Sequence, residues 1–351
     1  MIKTENLFYR KEVMIIATIN DVAREAGVSI TTVSRVLNKN YPVKAETKIK
    51  VEEAIKKLNF KPNQMARGLI TRKSSNIGIL VPSITNWFFS STVEDIEREL
   101  KPMGYHVNLS TTGGEASEER EYINELRGRG ADGIIVMDPN IENLNNGFFE
   151  EISSSVPLII ISSYNPDIKS GCSFICYDET TGMRNAVQRL KVIGKKRIAL
   201  LKGEISQSCE IREKLYLKYI EDEGLSYKKI INIENGNSIS VINKIEEIVQ
   251  KLCKAQEKFP DAFIACNDLI ASGVISSLKN KGFSIPEDIA IIGYDNTPIC
   301  RLTSPEITTV DLCIEHLGRR AVTELIDIMK NGINIRKNII LNTKLILRQS
   351  G

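Results

Sequence analysis

The sequence predicts an α/β core of two lobes, each a doubly wound parallel sheet, preceded by a small all-α domain. Three observations carry that prediction. From about Ser74 onward, short apolar runs alternate with amphipathic stretches, the pattern of strand–helix–strand units in parallel sheets. The candidate strands outnumber what one such sheet comfortably holds, so the core divides into two lobes. Ahead of the core, three short segments show helical spacing and carry the opposite net charge.

The first helix starts at Thr18-Ile19-Asn20-Asp21, which has the form of a capping box: the Thr18 hydroxyl takes a backbone N–H and Asp21 reaches back. Ile19, Val22, Ala23 and Ala26 follow with helical periodicity, and Gly27 ends the helix. Ser29 can cap a second helix, Ile30 to Leu37, whose inward stripe is Val33, Val36 and Leu37. A third runs from Ala45 to Leu58, with Ile49, Val51, Ala54, Ile55 and Leu58 as its apolar set, bracketed by Pro42 and Pro62. Two short helices joined by Gly27-Val28-Ser29 have the shape of a helix-turn-helix. The second helix would enter a major groove and offer Ile30, Thr31, Thr32, Ser34 and Arg35. An arginine pairs bidentately with guanine, and Thr or Ile methyls meet a thymine methyl. Residues 1–76 hold 15 basic and 7 acidic residues, a net of +8, whereas the remainder carries 32 basic and 37 acidic residues, a net of −5. A basic domain on an acidic one suits a chain whose first part alone meets a polyanion. A lysine-rich solvated surface, or a three-helix domain that binds protein, would carry the same charge.

The core strands are expected at 77–81, 105–109, 133–137, 157–161, 174–177, 197–201, 262–266 and 289–293. Helices are expected at 91–103, 117–127, 179–193, 240–253, 269–281 and 314–331. Ligands of such sheets bind beyond the carboxyl ends of the strands. Asn86-Trp87-Phe88-Phe89, Asn267-Asp268 and Tyr294-Asp295-Asn296 all follow predicted strands. Asn and Asp there can bond hydroxyls, and aromatic rings cover the apolar face of a ring-shaped ligand. Equally, Asn267 and Asp295 could simply cap the helices that follow. Gly113-Gly114 and Gly128-Arg129-Gly130 fit no phosphate loop and read as turns.

Apolar residues make up 42% of the 351 residues and charged residues 26%, which excludes a disordered chain. No apolar run approaches the roughly 18 residues of a membrane span, and the first twenty residues lack a secretory apolar region, so a cytoplasmic location is expected. The seven cysteines are irregularly spaced without a CxxC pair, and the two histidines, His106 and His316, stand in unrelated contexts. No disulfide framework, metal site, cofactor or catalytic constellation is expected.

Thr18 to Ser29, followed by Thr32-Val33-Ser34-Arg35-Val36-Leu37-Asn38, resembles the signature of the LacI/GalR family of bacterial repressors. The similarity continues through Leu58-Asn59-Phe60-Lys61-Pro62-Asn63 and Ala66-Arg67-Gly68-Leu69, and then through most of the chain. Asn86-x-Phe88-Phe89, Ile291 to Asn296 and Ser304-Pro305-x-Ile307-Thr308-Thr309-Val310 carry it in the core. The resemblance implies a sequence-specific transcriptional regulator, expected to be a repressor, with a periplasmic-binding-protein-like core. It implies that Ile30 and Thr31 set operator choice, that Arg35 contacts a base, and that Asn38 supports the fold or phosphates. Thr18 and Ser29 join the DNA-binding set. Asn63 to Thr71, with Asn63, Ala66 and Arg67, would be a hinge helix that folds when a dimer sits on DNA. Leu69 would wedge into the minor groove at the operator centre, unstacking a base step. The effector pocket is expected from Trp87, Phe88, Phe89, Ser162, Arg212, Asn267 and Asp295, with Arg212 as a forked donor to ligand oxygens.

Three departures from the family pattern matter. Trp87 replaces the usual proline, Ser162-Ser163 stand where sugar-binding members often have an aspartate, and Leu215 stands where a glycine usually follows the arginine. A missing carboxylate removes a strong acceptor for sugar hydroxyls, so a purine, a phosphorylated compound or an atypical sugar is open as effector. A protein corepressor is the alternative controller, and a solute-binding protein a more distant one. The chain ends soon after Leu345-Ile346-Leu347-Arg348 without a leucine-heptad tail, so a homodimer on a palindromic operator is expected rather than a tetramer. The expected organisation is an extension at 1–13, disordered and without assigned function, a headpiece at 14–62, a hinge at 63–73 and a core at 74–351. Within the core, lobe 1 takes about 74–163 and 296–326, and lobe 2 about 164–295 and 327–346.

Overall fold

The structure is a computed structural model that describes residues 17–38, 41–60, 74–167, 171–203, 206–234, 236–255, 258–332 and 336–351, with only the backbone at position 38. The 1–13 extension, the side chain of Asn38, and Asn63, Ala66, Arg67 and Leu69 lie outside the described residues. The chain divides into two compact units, 1–74 and 75–351.

Among its described residues the first unit has three helices: α1 (Ile19–Ala26), α2 (Ile30–Asn38) and α3 (Ala45–Lys57). The predicted capping box is formed, with the Thr18 N–H donating to Asp21 Oδ2 at 2.9 Å and the Asp21 N–H to Thr18 Oγ1 at 3.4 Å. Gly27 closes α1 in the left-handed region at φ 63°, where a Cβ would be strained. Val22, Ala23, Ala26, Val33, Val51 and Ala54 form a small core, and the two alanines of α1 leave room for close helix approach. Ile49, expected to face inward, is exposed. Val51 and Ala54 already fill the α3 contact, and Ile49 falls on the opposite side of that helix.

In the second unit the helices are α4 (Trp87–Leu100), α5 (Ala116–Gly128), α6 (Ile141–Asn145), α7 (Phe148–Ser153), α8 (Glu179–Val192), α9 (Gln207–Asp222), α10 (Val241–Lys254), α11 (Asp268–Asn280), α12 (Ile299–Leu302) and α13 (Ile314–Asn331). The strands are β1 (Asn76–Val81), β2 (His106–Thr111), β3 (Gly133–Met137), β4 (Leu158–Ser163), β5 (Ser173–Asp178), β6 (Ile198–Lys202), β7 (Lys229–Asn232), β8 (Ala262–Ala265), β9 (Ala290–Asp295), β10 (Thr308–Asp311), β11 (Asn338–Asn342) and β12 (Lys344–Ile346). Two six-stranded sheets result, in the orders β11-β5-β4-β3-β1-β2 and β12-β10-β9-β8-β6-β7. All pairs are parallel except β10 with β12. The central strands β3, β4, β6 and β8 are buried along their whole length, as parallel strands covered on both faces must be.

The lobe boundaries differ from the sequence expectation. β5, placed in lobe 2, pairs with β4 and belongs to the first sheet. Residues 308–311, placed in lobe 1, pair with β9 in the second sheet. β11, placed in lobe 2, pairs with β5 in the first sheet, and only β12 returns to the second. Sheet membership is fixed by pairing between distant segments, which no local pattern states. Helix α13 stays with the first lobe, where Gly318 lets it lie against α4: a Cβ at 318 would sit 3.2 Å from the Ile96 backbone N and 2.8 Å from the Asp95 Cβ. No described helix is long and apolar enough to cross a membrane.

Candidate nucleic-acid interface and effector cleft

On the headpiece, the predicted reading face is open. Ile30, Thr31 and Arg35 are exposed along α2, and Thr32 and Ser34 are half-buried between them and the core. Ser29 Oγ accepts the Thr32 N–H at 3.2 Å, so Ser29 caps the helix that carries this face. The Arg35 guanidinium lies over the Tyr41 ring, 5.4 Å from its centroid. Tyr41 was not picked out by sequence reasoning, and such a contact narrows the directions an arginine fork samples. Thr18 spends its side chain on the Asp21 capping box.

In the core, the ends of β3, β8 and β9 and the loop after β1 converge on a narrow cleft between the two sheets, the place where parallel sheets bind ligands. Of the predicted residues, Phe88, Phe89, Arg212, Asn267 and Asp295 line it. Phe88 packs edge-on against Phe89 and Tyr177, with centroids 5.1 and 6.1 Å apart. Asn267 plays both parts considered from the sequence. Its Oδ1 accepts the Ile270 N–H at 2.8 Å, capping α11, and its Nδ2 donates to the Gly236 carbonyl at 2.9 Å beside the cleft. Asp295 caps no helix. It is 3% exposed, sits at φ 103°, and no described group hydrogen-bonds its carboxyl. A non-glycine residue in that region is strained, and such strain gathers where function needs it.

Two predicted residues are elsewhere. Trp87 is 41% exposed and is not among the residues lining the cleft: at the first position of α4 it points outward while Phe88 and Phe89 turn in. Ser162 is fully buried away from the cleft, its hydroxyl without a partner among the described residues. Strand side chains alternate. Ile159 and Ile161 face the main core and Ile160 the second cluster with Cys176, so Ser162 follows Ile160 and Ser163 turns the other way.

Sequence reasoning missed several residues that the fold brings in. Asp138, immediately after β3, accepts the Ser208 hydroxyl at 2.7 Å, and Tyr177 Oη lies 3.1 Å from Ser208 Oγ. Asn86 Nδ2 donates to Asn237 Oδ1 at 3.0 Å, and Gln207 Nε2 to the Ser163 carbonyl at 2.9 Å. Each of these contacts crosses from the first lobe to the second. Arg212 does not fork into open space: its Nε donates to Glu179 Oε2 at 2.5 Å, its Nη1 to the Cys266 carbonyl, and its plane covers Tyr294 at 4.5 Å. Ser163 donates to the other Glu179 oxygen at 2.5 Å. The same strand-end rule that found Asn267 and Asp295 would have found Asp138. Glu179 and Ser208 stand on helices and gave no such signal.

Burial dominates the electrostatics. It raises the carboxyls of Asp138, Glu179 and Asp295, opposed in each case by the Arg212 charge and, for Asp138 first, by the Ser208 hydrogen bond. Asp268 rises to about 6 by burial, although Thr309 and Thr297 donate to it. The Cys209 thiol falls to about 7, chiefly through its hydrogen bond with Cys266.

A helix-turn-helix with an open reading face, joined to a two-lobed α/β core whose cleft gathers buried polar side chains, defines a DNA-binding regulator with a ligand-sensing module. The comparisons place it further. Residues 18–63 match the bacterial regulatory proteins of the lacI family, and residues 187–351 match the periplasmic binding protein-like domain. The chain is 31% identical to the NTD biosynthesis operon regulator NtdR of Bacillus subtilis over 344 residues, covering 95% of this chain and 99% of the relative. It is 32% identical to catabolite control protein A of Priestia megaterium over 336 residues, covering 95% and 98%. Among solved structures, the Lac repressor dimer bound to operator and the anti-inducer ONPF superposes with a TM-score of 0.81 at 25% identity, covering 95% and 99%. The chain belongs to the lacI family and is a DNA-binding transcriptional regulator.

Proposed function

We propose that this protein is a repressor that binds a palindromic operator as a homodimer and responds to a small polar effector in the core cleft. The observation that carries the reading is the set of bonds across the cleft, Asp138 with Ser208 and Asn86 with Asn237. A ligand that inserts among these groups must exchange its own hydrogen bonds for them, so it has different affinities for the open and closed lobes. Differential affinity is what lets a ligand shift a conformational equilibrium. The dimer solved on its operator with an anti-inducer supports the assembly and the two-site logic. Ile30, Thr31 and Arg35 read bases in this scheme, Thr32, Ser34 and Asn38 support the contact, and Thr18 and Ser29 hold the helices. Asn63, Ala66, Arg67 and Leu69 form the hinge, with Leu69 opening the central base step. The domain limits at 14–62, 63–73 and 74–351 follow from the same reading. The protein acts in the cytoplasm, where its operator lies, and as a regulator rather than an enzyme.

The test is selection of operator fragments from random DNA with the full chain, followed by binding to the selected site. A palindromic consensus, bound with two protomers per site, is expected. Recovery of no consensus, or equal retention of all sequences, would overturn the reading.

A further inference from the structure

The charges in the cleft do not balance. Among the described residues lining it, the acids are Asp138, Glu234 and Asp295, and the one cation is Arg212. Glu234 is at the exposed rim and pairs with Lys244 at 3.2 Å. Arg212 is already matched by Glu179: both side chains are buried, 6% and 0% exposed, and they meet at 2.5 Å. Lys202, the next buried lysine on β6, is taken by Glu213. Two buried carboxyls therefore face the cleft with one cation in reach among its described lining residues, Arg212, which is already paired to Glu179. One of them, Asp295, also lacks any hydrogen-bond donor among the described residues.

A buried carboxylate without a partner is costly, and the group protonates instead. The charged groups that act most on Asp295 are Arg212 from α9, Asp268 from α11, Glu179 from α8 and Asp138 from the end of β3; Asp311 of β10 pairs with it in register, and Arg348 bonds the next residue, Asn296, at 2.7 Å. Three of the first four repel a second negative charge. An anionic effector would meet the same repulsion and find the one guanidinium among the described lining residues already paired with Glu179. A neutral polyol could accept from or donate to the carboxyls, but would leave them in the protonated form that burial favours. A cation lets them ionise and pairs with them, a charge-assisted contact that the other two classes cannot make.

Resting on the reading of this cleft as the effector site, we infer that the effector is a compound carrying a protonated amine among hydroxyls, an amino sugar or comparable amino polyol. Its ammonium is held by Asp295 and Asp138, its hydroxyls by Asn267 and the Ser208 network, and its carbon face by Phe88. Phosphorylated sugars and nucleotides are rejected. This narrows the range left open by the sequence, where phosphorylated compounds and purines stood beside sugars.

The experiment compares matched probes on the full-length protein in a buffer free of amines. Tris is set against pentaerythritol, which replaces its ammonium by a hydroxymethyl group. Glucosamine is set against glucose, galactosamine against galactose, and glucose 6-phosphate serves as the anion. Dissociation constants come from the rise of the unfolding temperature with probe concentration, and operator binding is followed in parallel. In at least one pair the amine is expected to bind about tenfold tighter or more, as a charge-assisted hydrogen bond in a dry site allows. That advantage is expected to vanish in Asp295→Asn, a replacement that tolerates positive φ. Asp138→Asn supplies the same comparison should the first variant fail to fold. No amine preference in any pair, including no binding of any amine, or tightest binding of the phosphate, would overturn the inference while operator binding persists. Loss of operator binding by the unliganded wild type would instead sink the regulator reading.

Discussion

The headpiece and the cleft treat polar side chains in opposite ways. On α2 the reading residues Ile30, Thr31 and Arg35 are exposed, and removing one leaves no buried group unpaired. In the cleft Arg212, Glu179, Asp138 and Ser208 are buried and bonded to each other before any ligand arrives. DNA is a polyanion that brings its own acceptors, so a reader needs only an exposed, correctly spaced face. A sensor must tell small molecules apart, and that requires desolvated groups whose hydrogen bonds a wrong ligand cannot replace. The first arrangement separates binding from stability, whereas the second ties them together.

The largest effect should break the cleft. Arg212→Ala leaves Glu179 charged or protonated in a site with no cation, and a buried pair broken on one side costs about 3–5 kcal/mol. Urea unfolding of the core should show that loss, and Glu179→Gln a smaller one. A change below about 1 kcal/mol for Arg212→Ala would mean the pair is not buried in solution.

Next in size is a dependence on pH that the headpiece does not share. The folded value of Asp268, about 6, lies above its ordinary 3.8 because burial outweighs the Thr309 and Thr297 donors. The folded state therefore holds its proton more tightly than the unfolded chain does. That contribution to stability is fully present below about pH 4 and is lost as pH rises through about 6. Asp138, Glu179 and Asp295 are raised in the same sense. Core stability measured by urea should fall between about pH 4 and pH 6, and Asp268→Asn should flatten part of that slope. A core that gains stability over this range would contradict the assignment.

On the headpiece side, Arg35→Ala should weaken operator binding by about 1–3 kcal/mol, mostly as lost discrimination at one base pair. Its unfolding midpoint should stay put, because Arg35 is exposed and only stacks on Tyr41. The smallest effect expected is that of Thr18→Ala. Loss of the capping box should cost about 1 kcal/mol of headpiece stability and weaken DNA binding only through that. A large direct loss of affinity at unchanged stability would make Thr18 a phosphate contact as well.

The legibility of the two regions follows the same divide. The headpiece could be read from local rules, since caps, turns and an i, i+3, i+4 stripe all lie within a dozen residues. Only Ile49 was misplaced. In the core, strands with continuous apolar runs were visible, but β7, β10, β11 and β12 were not. β7, β11 and β12 are half-exposed edge strands such as Lys229–Asn232 and Asn338–Asn342, and β10 is buried but only four residues long and half threonine. Helix α9 was missed for a related reason: its buried side includes Gln207, Ser208 and Arg212, so it has no apolar stripe to detect. Phe88, Phe89, Arg212, Asn267 and Asp295 reached the cleft as expected. Trp87 and Ser162 did not, because one position along a helix or a strand turns a side chain to another face.

By itself the sequence determined the helix-turn-helix, the α/β class of the core and its strand-end polar residues, because each is written in contiguous residues through caps, periodicity and turns. Only the tertiary structure decided which sheet each strand joins and that Arg212 spends its charge on Glu179. It alone showed that Asp138 and Ser208 meet across the lobes and that no hydrogen-bond donor among the described residues reaches the Asp295 carboxyl. Those outcomes depend on burial and on contacts between residues far apart in the chain, where a charge has its meaning only from what surrounds it.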